Sequence, residues 1–74
     1  MKYKIICEWD SNAQVWVATS DEVVGLVLED GSLDTLIERV KKVIPELIEL
    51  NGIKTQFVEL LFTSEKLEKV SVYG

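Results

Sequence analysis

The stretch Gly31–Gly52, which reads GSLDTLIERVKKVIPELIELNG, decides the fold. Its apolar residues recur in steps of three and four, the spacing that places side chains on one face of an α-helix. Charged residues fall mostly off that face. A helix that is apolar on one side must cover another apolar surface, and the flanking segments offer strands for it to cover. The apolar positions are Leu33, Leu36, Ile37, Val40, Val43, Ile44, Leu47, Ile48 and Leu50.

Both ends of this helix carry recognisable signals. Ser32 is the predicted N-cap, because its hydroxyl can accept a hydrogen bond from an amide of the first turn. Thr35 stands where a full capping box would have Glu or Gln. Gly52 can adopt positive φ just after the last turn. Pro45 lies deep in the segment and predicts a kink, but the apolar spacing continues past it, which favours one kinked helix over two.

Three strands are predicted before the helix. Lys2–Trp9 alternates between apolar and polar residues, which is typical of a half-buried strand. Asp10–Ala13 has the composition of a turn, and Gln14–Ser20 is rich in β-formers, so the two strands form a hairpin. A short third strand, Leu26–Glu29, follows a bend at Gly25.

After the helix, Gln56–Thr63 is predicted as a strand. Its residues Val58, Leu60 and Phe62 would face the helix. Ser64–Glu68 is predicted as a charged turn, and Val70–Tyr73 as a possible final strand. The chain is therefore expected to form one α+β domain over residues 1–74. Its two layers would be an antiparallel sheet of three to five strands and one kinked helix, in the order β-β-β-α-β.

A single helix covers one face of a sheet, so some apolar residues should lie on the open face or along an edge. The candidates for a protein interface are Trp9, Trp16, Phe57 and Leu61. The two tryptophans flank the first turn and would act as interface anchors if exposed. As core residues they would need a partner for the indole N–H, and at least one is expected to be core.

Composition excludes several classes of site. The 74 residues include one cysteine and no histidine, which excludes a disulfide, a histidine-based catalytic triad and an ordinary tetrahedral zinc site. Cys7 is expected to be a small buried hydrophobe. The carboxylate pairs Asp21-Glu22 and Glu29-Asp30 are interpreted as solvated charge rather than a cation site. Gly25 and Gly31 form no phosphate-binding loop, and no cofactor is expected.

The charge balance bears on partners. Eight basic residues against 13 acidic ones give a net charge of −5. This balance argues against direct nucleic-acid binding and suits a basic protein partner, although mild acidity also simply favours solubility. No apolar run has the length of a membrane span, and the amino terminus does not resemble a signal peptide, so a cytoplasmic protein is expected.

Five short motifs follow one another along the chain: Trp16-Val17-Ala18, Val23-x-Gly25, the helix opening Gly31–Leu36, Pro45-Glu46-Leu47 and Asn51-Gly52. In these motifs the sequence resembles the N-terminal domain of HicB antitoxins, and more closely a bacterial group of short stand-alone HicB-like chains without assigned function. The similarity runs from Lys4 to about Phe62. The sequence departs from HicB at Val24, where HicB has proline, and at Thr35, where HicB has glutamate.

The resemblance implies a β-β-β-α-β fold and a binding role. HicB binds and blocks HicA, a small basic toxin that cleaves RNA. HicB proteins usually carry a separate C-terminal DNA-binding domain, so operator binding is not implied for these 74 residues. No HicA-contacting positions are implied either.

Three functions follow as hypotheses. The first is a non-enzymatic HicB-like module that binds a small basic, HicA-like protein. The second is a self-associating accessory or structural protein, a homodimer formed through an edge strand or the open sheet face. The third and weakest is a metal-dependent nuclease, for which Glu8 and Glu59 are the mid-strand candidates.

Overall fold

The computed structural model describes residues 1–73. It contains four strands and one long helix in the predicted order β-β-β-α-β, which confirms the α+β class. The strands lie in the sheet in the order β3-β2-β1-β4, so the first strand is central and β3 and β4 are the two edges. The elements are β1 (Lys2–Asp10), β2 (Val15–Thr19), β3 (Val27–Asp30), α1 (Leu33–Leu50) and β4 (Glu59–Glu65).

The sheet is mixed, which corrects the prediction of a wholly antiparallel one. The pairs β1–β2 and β2–β3 are antiparallel, whereas β4 runs parallel to β1, with Tyr3 opposite Leu60 and Ile5 opposite Phe62. The cause is the helix, which carries the chain back along the sheet before β4 begins. Because β4 therefore starts at the end of the sheet where β1 starts, the two strands point the same way.

The core lies between α1 and one face of the sheet. The helix contributes Leu36, Val40, Ile44 and Ile48 at the predicted helical spacing. Alternate residues of β1 and one residue of β2 form the floor, and two residues of the β2–β3 connection close one end. The sheet and connection residues of the core are Tyr3, Ile5, Cys7, Ala18, Val23 and Leu26.

Both helix ends are capped as the sequence predicts. The Ser32 hydroxyl accepts a hydrogen bond from the Thr35 amide at 3.3 Å. The Ser32 amide donates to Asp30 Oδ1 at 2.9 Å, so Asp30 supplies the acceptor that glutamate would supply in a capping box. At the other end the amides of Gly52 and Ile53 donate to carbonyls of the last turn, with Gly52 at φ 74°.

Pro45 lies inside this single helix, which confirms one helix rather than two. The predicted kink stays a prediction.

The carboxyl-terminal part of the chain differs from the prediction. Strand β4 begins at Glu59, so Phe57 lies in the loop before it, and β4 continues through Glu65 instead of turning at Ser64. The segment Val70–Tyr73 forms no strand within residues 1–73, because it has left the sheet and has no neighbouring strand to bond. Residues 66–73 are exposed, and the molecule is elongated, measuring 56 × 19 × 18 Å.

Candidate functional site

The face of the sheet opposite α1 is uncovered. Tyr3, Ile5 and Cys7 point into the core, so the residues between them in β1 point to this open face. Residues of β2, β3 and β4 that pair with them across the sheet lie on the same face. Apolar and β-branched residues occupy its centre, carboxylates occupy one end, and Lys2, Lys4 and Glu59 occupy the other. The open face comprises Lys2, Lys4, Ile6, Glu8, Asp10, Val15, Val17, Thr19, Val27, Glu29, Glu59, Leu61, Thr63 and Glu65.

Three of the carboxylates fall in one line across the sheet, which we call the acidic row. Glu29 pairs with Val17, Val17 with Glu8, and Glu8 with Glu65, so the row crosses all four strands. All three glutamates are exposed. Neighbouring strands lie about 4.8 Å apart, and like charges directly opposite each other destabilise a sheet. The ion pairs formed within residues 1–73 do not involve these carboxylates.

A shallow depression of about 390 Å³ adjoins the acidic row. Its floor is half-buried Val17 and Thr19, and its rim carries Glu8 and Asp10. A lysine or arginine side chain suits such a surface, because its aliphatic stem can lie on apolar residues while the charged end reaches a carboxylate. The arrangement therefore fits recognition of basic side chains on a protein surface.

The two tryptophans lie together on the side of the sheet that faces α1. Trp9 and Trp16 are cross-strand partners, with ring centroids 5.5 Å apart in an edge-to-face arrangement. Both are half-buried, and Trp16 packs against the core without belonging to its fully buried residues. Lys66 Nζ lies 4.3 Å from the Trp9 ring centroid and forms a cation–π contact.

The other two predicted interface residues lie elsewhere. Phe57 is 81% exposed in the loop before β4, at the end of the sheet away from Trp9. Leu61 is 49% exposed on the open face of β4. The four candidates thus occupy three places rather than one patch. The acidic row was missed because its members are distant in sequence and only strand pairing aligns them.

The carboxylates considered for a metal site do not converge. Glu8 is opposite Glu65 and Glu59 is opposite Lys2, so the two nuclease candidates are six residues apart along the sheet, about 20 Å. Residues 1–73 contain no group of three or more Asp, Glu, Cys or His side chains placed to hold a metal ion.

The two loop carboxylate pairs have structural contacts. Glu22 Oε1 accepts the Lys4 amide at 2.8 Å, and Asp30 Oδ2 lies 3.3 Å from the Arg39 guanidinium. One carboxylate of each pair therefore has a structural role, since Glu22 binds a backbone amide and Asp30 binds an arginine side chain.

Cys7 is fully buried, as predicted, and burial raises the pKa of its thiol. A raised pKa keeps the sulfur protonated and a poor nucleophile near neutral pH.

A second surface lies where α1 fails to cover β4. The helix packs chiefly over β2 and β3, and a groove of about 400 Å³ remains along the inner face of β4. Val58, Leu60 and Phe62 form one wall and stay half-buried. The opposite wall is helical, with Ile44, Pro45 and Lys41. We call this surface the β4 groove.

Within residues 1–73 we find no helix with the length and apolarity that crossing a bilayer requires.

Comparison with known proteins places the chain in a family and confirms its fold. It is similar to a hypothetical protein of the extremely thermophilic bacterium Thermus thermophilus, whose crystal structure matches with a TM-score of 0.81 and 35% sequence identity. The match covers 95% of this chain and all of the other. None of the curated proteins compared with the chain matches it. The family model of DUF1902, a domain of unknown function, matches residues 2–74, and the chain therefore belongs to the DUF1902 family.

Proposed function

We propose that this domain is a non-enzymatic protein-binding module whose partner is a small basic protein, docked on the open face of the sheet. The observation that supports this proposal is the acidic row. Glu8 and Glu65 face each other on adjacent strands, and Glu29 lies two strands from Glu8. A basic partner would relieve the repulsion among them and gain ion pairs beside an apolar floor.

Net charge supports the same partner. The chain carries −5, and a surface with one sign of charge attracts an oppositely charged protein over about a Debye length. Electrostatic attraction of this kind raises the association rate more than the affinity. Binding should therefore slow as salt concentration rises.

The resemblance to HicB supports a more specific form of the proposal. HicB acts by binding a small basic toxin, and this chain shares strand and helix motifs with its N-terminal domain. A HicA-like toxin is thus the partner to examine first, in a bacterial cytoplasm. Encoding of a small basic protein by a neighbouring gene would add support.

Co-purification from the native host tests the proposal. The tagged wild-type chain is compared with Glu8→Gln/Glu29→Gln, which removes two charges of the acidic row. The matched control is Glu46→Gln/Glu49→Gln, which removes two exposed charges from α1. We expect a small basic protein to copurify with the wild type and with the helix variant, and to be lost from the sheet variant.

Two results would count against the proposal. Recovery of no basic protein with the wild type would remove its main support. Equal retention by both double variants would show that the partner binds elsewhere.

A second candidate function is self-association as a homodimeric accessory protein. The observation that favours it is apolar exposure near β4. Leu61 is half exposed, and Leu67, Val70, Val72 and Tyr73 are each more than 80% exposed. Exposed apolar residues grouped in one part of a chain often mark protein contacts.

A further inference from the structure

The segment of residues 66–73, which we call the arm, exposes an unusual amount of apolar surface. It follows β4 directly in the chain and is exposed throughout, and it contacts the body of the domain at Lys66, whose Nζ lies over the Trp9 ring. Four of its eight residues are large and apolar, and they are between 81% and 96% exposed: Leu67, Val70, Val72 and Tyr73. Single exposed apolar residues are ordinary, but four within eight residues need a covering surface.

The arm is poorly suited to covering its own domain. It leaves β4 at Glu65, and folding back onto the β4 groove would require a reversal of direction. Tight reversals favour Gly, Pro, Asn, Asp and, more weakly, Ser, and of these only Ser64 and Ser71 occur between Thr63 and Tyr73. The arm is therefore suited to reach another molecule.

The sequence around Leu67 is complementary to itself when two copies run antiparallel. If Leu67 faces Leu67, then Lys66 faces Glu68 and Glu65 faces Lys69 on each side of the centre. Every charged residue within this alignment thus meets an opposite charge.

The apolar residues of the same alignment also find partners. It places Phe62 opposite Val72 and Leu61 opposite Tyr73, while Thr63 meets Ser71. Val70 is the one apolar residue that meets a polar one, because it faces Ser64. Cross-strand apolar pairs of this kind stabilise a sheet.

Neighbouring alignments lose this match. Side chains of paired strands must share a face, so the centre can move only by whole residues along the chain. A centre at Lys66 places that lysine against its own copy, and a centre at Glu68 does the same with a carboxylate. Charge therefore selects Leu67 as the centre.

From this complementarity we propose that the arm binds a second copy of this chain. The two arms exchange about a two-fold axis at Leu67, and each becomes a fifth strand at the outer edge of β4 in the other copy. In that position Val72 of the second copy lies beside Phe62 at the β4 groove, and Tyr73 of the second copy lies beside Leu61. The proposal rests on the second candidate function, self-association, and specifies its interface.

The buried area agrees with a stable dimer. Three aliphatic side chains at about 100 Å² each and a tyrosine at about 150 Å² give about 450 Å² per arm. Two arms and the surfaces that they cover then bury at most about 1,800 Å², because Leu67 and Tyr73 fall on the uncovered face of the sheet; specific protein interfaces bury about 1,200–2,000 Å². A two-fold arrangement also uses the same patch twice, as closed dimers do.

Charge complementation between two variants tests the alignment. Glu65→Lys alone sets two positive charges opposite each other where position 65 meets Lys69. Lys69→Glu alone sets two negative charges opposite each other where position 69 meets Glu65. Mixing the two variants restores two pairs of opposite charge in the heterodimer.

The expected result is loss and recovery of the dimer. We expect each variant alone to dimerise at least about tenfold more weakly than the wild type and the mixture to recover, by sedimentation at micromolar concentration. Circular dichroism confirms that each variant is folded.

Cross-linking gives an independent test of the centre. Leu67→Cys brings two thiols into facing positions, within reach of a disulfide under mild oxidation. In the control Lys69→Cys the two thiols are four residues apart along the ribbon, about 14 Å, which is too far to bridge. The native Cys7 is fully buried and does not compete. We expect a covalent dimer from the first variant and none from the second.

The outcomes separate the interface from the function. A wild-type chain that sediments only as a monomer overturns both the arm exchange and the self-association proposal. Equal dimerisation of the wild type and both charge variants, or equal cross-linking of both cysteine variants, overturns the arm exchange but leaves a homodimer formed through another surface.

Discussion

The two edge strands of the sheet, β3 and β4, differ in how far the rest of the chain covers them. Strand β3 has four residues, α1 packs over it, and Arg39 Nη1 donates to the Glu29 carbonyl at 2.7 Å. Strand β4 has seven residues, its face toward α1 is only half-buried, and Leu61 is half exposed on the open face of the sheet. Proteins protect unpaired edges with short strands and covering elements, and β3 has both. The chain thus covers the β3 half of the sheet by itself, and we propose that a partner covers the β4 half.

The largest expected effect on stability distinguishes the covered half of the domain, where α1 packs over β2 and β3, from the β4 half. Leu36→Ala removes a fully buried side chain under α1 and should reduce the free energy of unfolding by about 2–5 kcal/mol. Leu61→Ala makes the same chemical change at a half-exposed site of β4 and should cost less than about 1 kcal/mol. Urea unfolding measures both, at one low protein concentration so that self-association does not contribute.

The size of the domain sharpens this comparison. A chain of 74 residues is only marginally stable, so Leu36→Ala is expected to be largely unfolded at about 37 °C. Comparable losses for the two variants would show that β4 is as well packed as the covered half.

A smaller effect is expected at the bend that closes the covered half. Gly25 has φ 92°, and a Cβ there would lie 3.5 Å from Leu47 Cδ2, an ordinary contact. Gly25→Ala should therefore cost about 1–2 kcal/mol through backbone strain rather than through a clash. Gly31 has open space around it, and Gly31→Ala is the matched control, with an expected change within about 1 kcal/mol. Thermal unfolding of the two variants side by side measures the difference, and equal effects would contradict it.

The covered half could be predicted from the sequence because its signals are local. The three- and four-residue spacing identified Leu36, Val40, Ile44 and Ile48, and the caps at Ser32 and Gly52 fixed the ends of the helix. Strand direction is not local. The parallel pairing of β4 with β1 depends on where the helix returns the chain, and periodicity carries no such information.

The candidate surfaces were predicted less well for the same reason. Trp9 and Trp16 flank the first turn in the sequence, but their contact with each other on the face that α1 covers follows from strand register. The acidic row needs three pairings across four strands before it becomes visible. For the arm the sequence predicts part of a turn and a short final strand, because pairing within one chain is the only pairing that local pattern suggests. The pairing partner that we propose lies in a second copy of the chain.

The smallest expected effect is a pH dependence confined to the covered half. Burial raises the pKa of the Cys7 thiol in the folded chain, so folding favours the protonated form. The unfolded chain loses that proton first, at its ordinary thiol pKa of about 8.5. The contribution of the thiol to stability is therefore complete below that pH and is lost as pH rises toward the folded pKa. The slope cannot exceed about 1.4 kcal/mol per pH unit, the limit for one proton.

Urea unfolding across this alkaline range should show that the free energy of unfolding falls with pH in the wild type and falls less steeply in Cys7→Ala. The comparison uses slopes rather than absolute stabilities, because the alanine also removes buried volume. If the two profiles have the same slope, the thiol ionises as freely in the folded chain as in the unfolded one. The space beneath α1 would then admit water, and the contrast between a closed half and an open half would not hold.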